Sequence, residues 1–110
     1  MKLKTAFADG VLRLSFSGEM DHHGARSVMT EVEDRLDQYM PRDCILDMKD
    51  ISFMDSSGIA VVIKTYRRMG ACGGRLRVEN VPPQPMKVLD ASGIDRIIDI
   101  SALELEGRGT

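Results

Sequence analysis

Apolar residues occur at every second position in the first part of the chain and at helical spacing thereafter. Leu3, Thr5 and Phe7 alternate with Lys2, Lys4 and Ala6, and Leu12, Leu14 and Phe16 alternate with Arg13, Ser15 and Ser17. Period two on both sides of Asp9-Gly10 predicts a β-hairpin with a tight turn. Gly18-Glu19-Met20-Asp21 then breaks the strand, and Asp21 is placed to cap a helix. Ala25, Val28, Val32, Leu36 and Tyr39 follow at helical spacing, with Glu31, Glu33, Asp34, Arg35 and Asp37 on the other face. Pro41 stops that helix.

A short apolar strand, Asp43 to Met48, comes next and reads as a buried central strand. It leads into Ile51-Ser52-Phe53-Met54-Asp55-Ser56-Ser57-Gly58. From about Ser57 to Met69 an amphipathic helix turns Ile59, Val62, Ile63, Tyr66 and Met69 inward, and Gly70 is placed to end it. Gly73-Gly74 turns the chain into a half-exposed strand, Arg75 to Glu79. Pro82-Pro83-Gln84-Pro85 opens a third helix with Met86 and Leu89 inward, and Ser92-Gly93 closes it. Ile97, Ile98 and Ile100 form a last strand, and Ser101 with Glu104 matches a capping box for a short terminal helix. The predicted order is β-β-α-β-α-β-α-β. This is an α/β chain forming one domain over residues 1–110, with a mixed sheet of about five strands and right-handed crossovers.

Composition narrows the function. The chain has 110 residues, 43% hydrophobic and 29% charged, with a formal net charge of -2 and an isoelectric point near 5.6. That balance argues against direct binding to nucleic acid or to an anionic membrane. No apolar run reaches the ~20 residues that cross a bilayer, and no signal-peptide pattern follows Met1-Lys2-Leu3-Lys4. A cytoplasmic protein is expected. Cys44 and Cys72 both sit among apolar residues and read as buried reduced thiols.

The chemistry concentrates at Asp55-Ser56-Ser57-Gly58, where a strand hands over to a helix. A helix start leaves unpaired N–H groups and a partial positive charge. Ser56 or Asp55 can cap the helix, and a serine there can act as a nucleophile or accept a phosphate. A nucleophile elbow requires glycine two residues to each side of the serine; Ser57 has Asp55 and Ile59 there. As a phosphate acceptor, Ser57 would gain about -1.5 to -2 of charge and three acceptor oxygens, which a docked partner would feel. His22 and His23 point in different directions on a helix and make a poor chelating pair; no metal site and no cofactor is expected. Met20 and Met54 flank the two loops and are candidates for core or docking.

Two pieces, Gly18-Glu19-Met20-Asp21-His22-His23 and Ser52-Phe53-Met54-Asp55-Ser56-Ser57-Gly58-Ile59, closely resemble the anti-sigma factor antagonists. These are small single-domain members of the sulphate transporter and anti-sigma factor antagonist (STAS) fold, and the similarity is nearest the anti-sigma F type of sporulating bacteria. The resemblance implies a non-enzymatic partner switch. The unphosphorylated protein binds an anti-sigma factor that is also a serine kinase of the histidine-kinase-like ATPase fold, and so releases a sigma factor. Phosphorylation of the second serine, Ser57 here, ends the binding, and a metal-dependent phosphatase restores it. Asp21, His22, His23, Met54, Asp55, Ser56, Ser57 and Gly58 are the residues the resemblance and the loop positions assign to partner binding. The alternative is an unphosphorylated STAS scaffold or a module sensing a small ligand or nucleotide.

Overall fold

A computed structural model describes residues 1–104. Its five strands lie in sequence order, β1 (Lys2–Ala8), β2 (Val11–Met20), β3 (Asp43–Met54), β4 (Arg75–Val81) and β5 (Asp99–Ala102). β1 and β2 are antiparallel, and every later pairing is parallel. The crossovers are α1 (His22–Tyr39), α2 (Ser57–Ala71) and α3 (Pro83–Ser92), the last followed by a 3-10 turn, Ile94–Arg96. Each new strand joins on the same side of the one before it. Right-handed crossovers therefore carry all three helices to one face of the sheet.

The residues follow that asymmetry. Leu12, Leu14, Phe16, Leu46, Met48 and Val78 lie under the helices and are at most 1% exposed. The opposite face is polar and crossed by ion pairs: Arg13 contacts Asp47 and Glu79, both at 3.1 Å, and Arg77 contacts Glu79 at 3.1 Å. Ile45 sits on that face in register between Arg13 and Arg77, whose stems can shelter it. In the hairpin turn, Asp9 and Gly10 both have positive φ, 52° and 78°, as the tight turn that matches strand twist requires.

Several expectations are corrected. β2 runs on through Gly18 to Met20, and β3 continues to Met54, because the two strands stay paired up to Met20 and Met54. Register irregularities between Ser15 and Ser17 and between Gly18 and Glu19 absorb the mismatch. Gly70 lies within α2; the left-handed residue that turns the chain is Gly73, φ 74°, with the Gly74 N–H donating to the Met69 carbonyl at 2.8 Å. The buried face of α2 is Gly58, Val61, Val62, Thr65 and Met69, one residue round from the predicted stripe. Gly58 must face inward over Met54, and that rotates Tyr66 out to solvent. Buried Thr65 satisfies its hydroxyl by donating to the Val61 carbonyl at 2.8 Å.

Ile98 is buried ahead of β5, whereas Ile97 is 60% exposed. Ser101 belongs to β5, so it does not cap a helix; any helix beyond Glu104 falls outside the described residues. Cys72 is exposed, not buried, since it lies past the end of α2, while Cys44 is buried and its thiol is pushed up to about 12 by desolvation.

Candidate functional site

The carboxyl ends of β2 and β3 bring two loops side by side. The Asp55 N–H donates to the Met20 carbonyl at 3.3 Å, which ties the start of the second loop to the end of the first. Parallel strands deliver both following helices from this one edge, so α1 and α2 begin next to each other.

Asp21 caps α1. Its backbone is extended, and its Oδ1 accepts from the Gly24 N–H at 2.9 Å. That bond holds the Asp21 carboxyl below its ordinary range, with the charge of nearby His23 acting in the same direction. Gly24 is required here: a Cβ would stand 2.2 Å from the Glu19 carbonyl oxygen. His22 and His23 are exposed, with ring centroids 6.0 Å apart in an edge-on arrangement. Among the described residues no group of three or more His, Cys, Asp or Glu side chains could hold a metal ion.

At the start of α2 the cap is supplied by Asp55 and not by a serine. Asp55 Oδ1 accepts from the Ser57 N–H at 2.8 Å, while Ser56 makes no capping bond. The Gly58 N–H donates to the Asp55 carbonyl at 3.0 Å and the Ile59 N–H to the Ser56 carbonyl at 3.1 Å. The first three amides of the helix are thus already used. Those three amides are therefore not free to bind an added anion at Ser57, and the helix dipole remains to favour one. The serine hydroxyls are spared from capping. Ser56 is exposed, and Ser57 is half-buried and lines a groove of about 360 Å³ between α1 and α2. Met29 and Val61 contribute apolar walls to that groove, and His22, Arg26 and Lys64 contribute nitrogen groups.

Of the expected docking set, Asp21, His22, His23, Asp55, Ser56 and Ser57 reach this edge of the molecule. Met54 does not: it is 0% exposed. Its side chain fills the space beneath Gly58, where a Cβ would come within 2.5 Å of Met54 Cγ. Gly58 is buried for the same reason, and its part is to let helix and strand approach. Sequence reasoning did not place Arg26 or Lys64 at the site. It also missed Gln84, whose carboxamide bonds to both backbone groups of Met54; no local spacing reveals such a contact.

Comparison with known proteins agrees with the fold. Residues 2–106 match the profile of the STAS domain. The chain is 34% identical over 91 residues to the anti-sigma F factor antagonist of Paenibacillus polymyxa, covering 83% of this chain and 78% of that one. It is 31% identical over 91 residues to the anti-sigma-B factor antagonist of Bacillus subtilis, covering 83% and 82%. Among solved structures, the anti-sigma factor antagonist SpoIIAA superimposes in its unphosphorylated form with a TM-score of 0.77 at 24% identity, covering 96% of this chain and 90% of that one. The phosphorylated form of SpoIIAA, at the same identity, gives 0.69 over 96% and 93%; at that identity these two matches speak to the fold alone. The five-stranded mixed sheet, the three crossover helices and the extent of the profile match place the chain in the STAS domain family, beside its anti-sigma factor antagonists.

Proposed function

We propose that this chain is an anti-sigma factor antagonist switched by phosphorylation of Ser57. In the unphosphorylated state it binds an anti-sigma factor that is also a serine kinase, and so releases a sigma factor for transcription. A phosphoryl group on Ser57 ends the binding, and a metal-dependent phosphatase removes it. The protein acts by binding, not by catalysis, and works in the cytoplasm. The docking surface comprises the Asp21–His23 loop, the exposed atoms of Asp55, Ser56 and Ser57, and the first turns of α2.

The observation that carries this reading is the hydroxyl of Ser57, which makes no hydrogen bond among the described residues. Ser57 lines the α1–α2 groove, while Asp55, not either serine, caps the helix. None of the capping hydrogen bonds uses that hydroxyl, so a phosphoryl group added there replaces none of them. The new charge stands beside the Asp55 carboxylate and at the mouth of the groove, where it changes what a docked surface meets.

The test is incubation with ATP, magnesium and the anti-sigma kinase of the same genome, read by intact mass. The parent should gain one phosphate, Ser56→Ala should still gain it, and Ser57→Ala should not. Ser57→Asp should fold as the parent does and lose binding to the kinase. Binding by Ser57→Asp at parental strength would refute the switch, and phosphate on Ser57→Ala would refute the site.

A further inference from the structure

β3 has two strand neighbours for only part of its length. It pairs with β4 from Asp43 to Asp47, whereas it pairs with β2 as far as Met54. β4 veers off at Asn80, which has a φ of 57°. The last turn of β3 would therefore present an open edge on the β4 side, immediately before Asp55.

One side chain fills that edge. The Met54 N–H donates to Gln84 Oε1 at 2.8 Å, and Gln84 Nε2 donates to the Met54 carbonyl at 2.7 Å. A carboxamide has the same donor and acceptor as a peptide group, so Gln84 gives Met54 the two bonds that a neighbouring strand would give. On the other side, the following amide, that of Asp55, is held by Met20. Gln84 itself sits in the first turn of α3 between Pro83 and Pro85. Two fixed φ angles hold its backbone, and Pro85 is buried.

We propose that Gln84 is a positioning residue for the Ser57 turn: its carboxamide stands in for the missing strand and sets where β3 ends and where Asp55 begins its bond to the Ser57 amide. The inference rests on the reading of Ser57 as the phosphate acceptor for its functional meaning, but not for its structural content. An exposed glutamine would otherwise have its amide solvated by water. Here both ends are committed to one backbone residue thirty positions away in sequence. The turn is thereby registered against α3 as well as against the end of β2.

The test uses the full chain and amide hydrogen exchange by NMR, expressed as protection relative to unstructured peptides. In Gln84→Ala, protection at Met54 and Ser57 should fall by about tenfold, the equivalent of one ordinary hydrogen bond lost. Leu46 and Val78, in the centre of the sheet, should be unchanged. Gln84→Glu supplies a signature that packing alone does not give. As a carboxylate it accepts from the Met54 N–H but repels the Met54 carbonyl; as a neutral acid it donates and accepts as the amide does. The ratio of its protection at Met54 to the parent's should therefore be near one at low pH and fall as pH rises through the carboxylate range. Unchanged protection in Gln84→Ala, or no titration in Gln84→Glu, overturns the inference. A parallel phosphorylation assay separates the two claims. If the parent takes phosphate at Ser57, Gln84→Ala should take it more slowly when both are assayed well below their melting temperatures. If the parent takes none while the exchange results hold, the proposed function fails and the positioning role stands.

Discussion

Adding one methyl group at Gly58 tests how closely α2 is seated on β3. In Gly58→Ala the new Cβ would lie 2.5 Å from Met54 Cγ, 2.7 Å from its Sδ and 2.9 Å from its Cε. Carbon atoms rest at about 3.5–4.0 Å, so Met54 must retreat by about 1 Å. It is 0% exposed, so its retreat must displace neighbouring core atoms and not water. Overpacking of this kind costs about 1–3 kcal/mol. Alanine's helical advantage over glycine returns about 0.5–1 kcal/mol. The net loss is about 0–2.5 kcal/mol, centred near 1 kcal/mol, which at its centre lowers the melting temperature of a domain of this size by roughly 5 °C. Gly70, in the same helix, is the internal control: a Cβ there meets nothing within 4 Å. Gly70→Ala should stabilise by about 0.4–1 kcal/mol. Thermal and urea unfolding followed by circular dichroism would measure both. A double-mutant cycle sharpens the result. Met54→Ala alone should cost about 2–5 kcal/mol, and in that background Gly58→Ala should be neutral or stabilising. If Gly58→Ala raises the melting temperature as Gly70→Ala does, the steric argument is wrong.

Three further outcomes are expected. The Arg42 guanidinium bonded to Asp43, aided by Arg75, holds the Asp43 carboxyl below its usual range, as the Gly24 amide does for Asp21. Each group therefore stabilises the fold at pH above the ordinary carboxylate value, and that contribution is lost as pH falls through the lowered one. In acid unfolding, Asp43→Asn or Asp21→Asn should flatten the dependence on pH, and an unaltered acid limb would contradict this. With a thiol reagent at mildly alkaline pH, native protein should modify at Cys72 only, since burial keeps Cys44 protonated; two reactive thiols without denaturant would show that the core around Cys44 opens. Asp55→Ala should release the Ser57 amide and raise its exchange by about tenfold without changing exchange at Gly24, whose bond is to Asp21; equal exchange in parent and variant would remove Asp55 as the cap.

The strand-helix alternation, and with it the fold class, was legible because each crossover carries its own punctuation: Asp21 before α1, Pro41 after it, Pro83 and Pro85 opening α3, and Gly93 ending it. The length of β3 was hidden. Lys49 and Asp50 interrupt its apolar run, and only pairing with β2 keeps the backbone extended through them. The inward face of α2 was misjudged by one position because hydrophobicity favoured Tyr66 over Thr65, whereas the close approach of Gly58 to Met54 fixes the helix rotation. The serine pair stood out in the sequence as a local pattern. Its support did not, because the contacts of Gln84 and Met20 with this turn depend on distant chain segments. The role of Met54 was misread for a related reason: a methionine beside a functional loop has no sequence mark that separates floor from surface.

The paired ends of β2 and β3 have a consequence for how the chain can change length. Asp21 and Asp55 lie together because the irregular pairing steps near Ser15 and Gly18 bring Met20 opposite Met54. A one-residue insertion or deletion between Ser17 and Met20 would slide one loop past the other by about 3.3 Å and turn the following side chains to the wrong face. The reversal at Gly73 lies at the opposite end of the strands and does not set the pairing of Met20 with Met54. Natural variation in length, and grafted segments, should therefore gather at that far pole and spare the edge that carries Ser57.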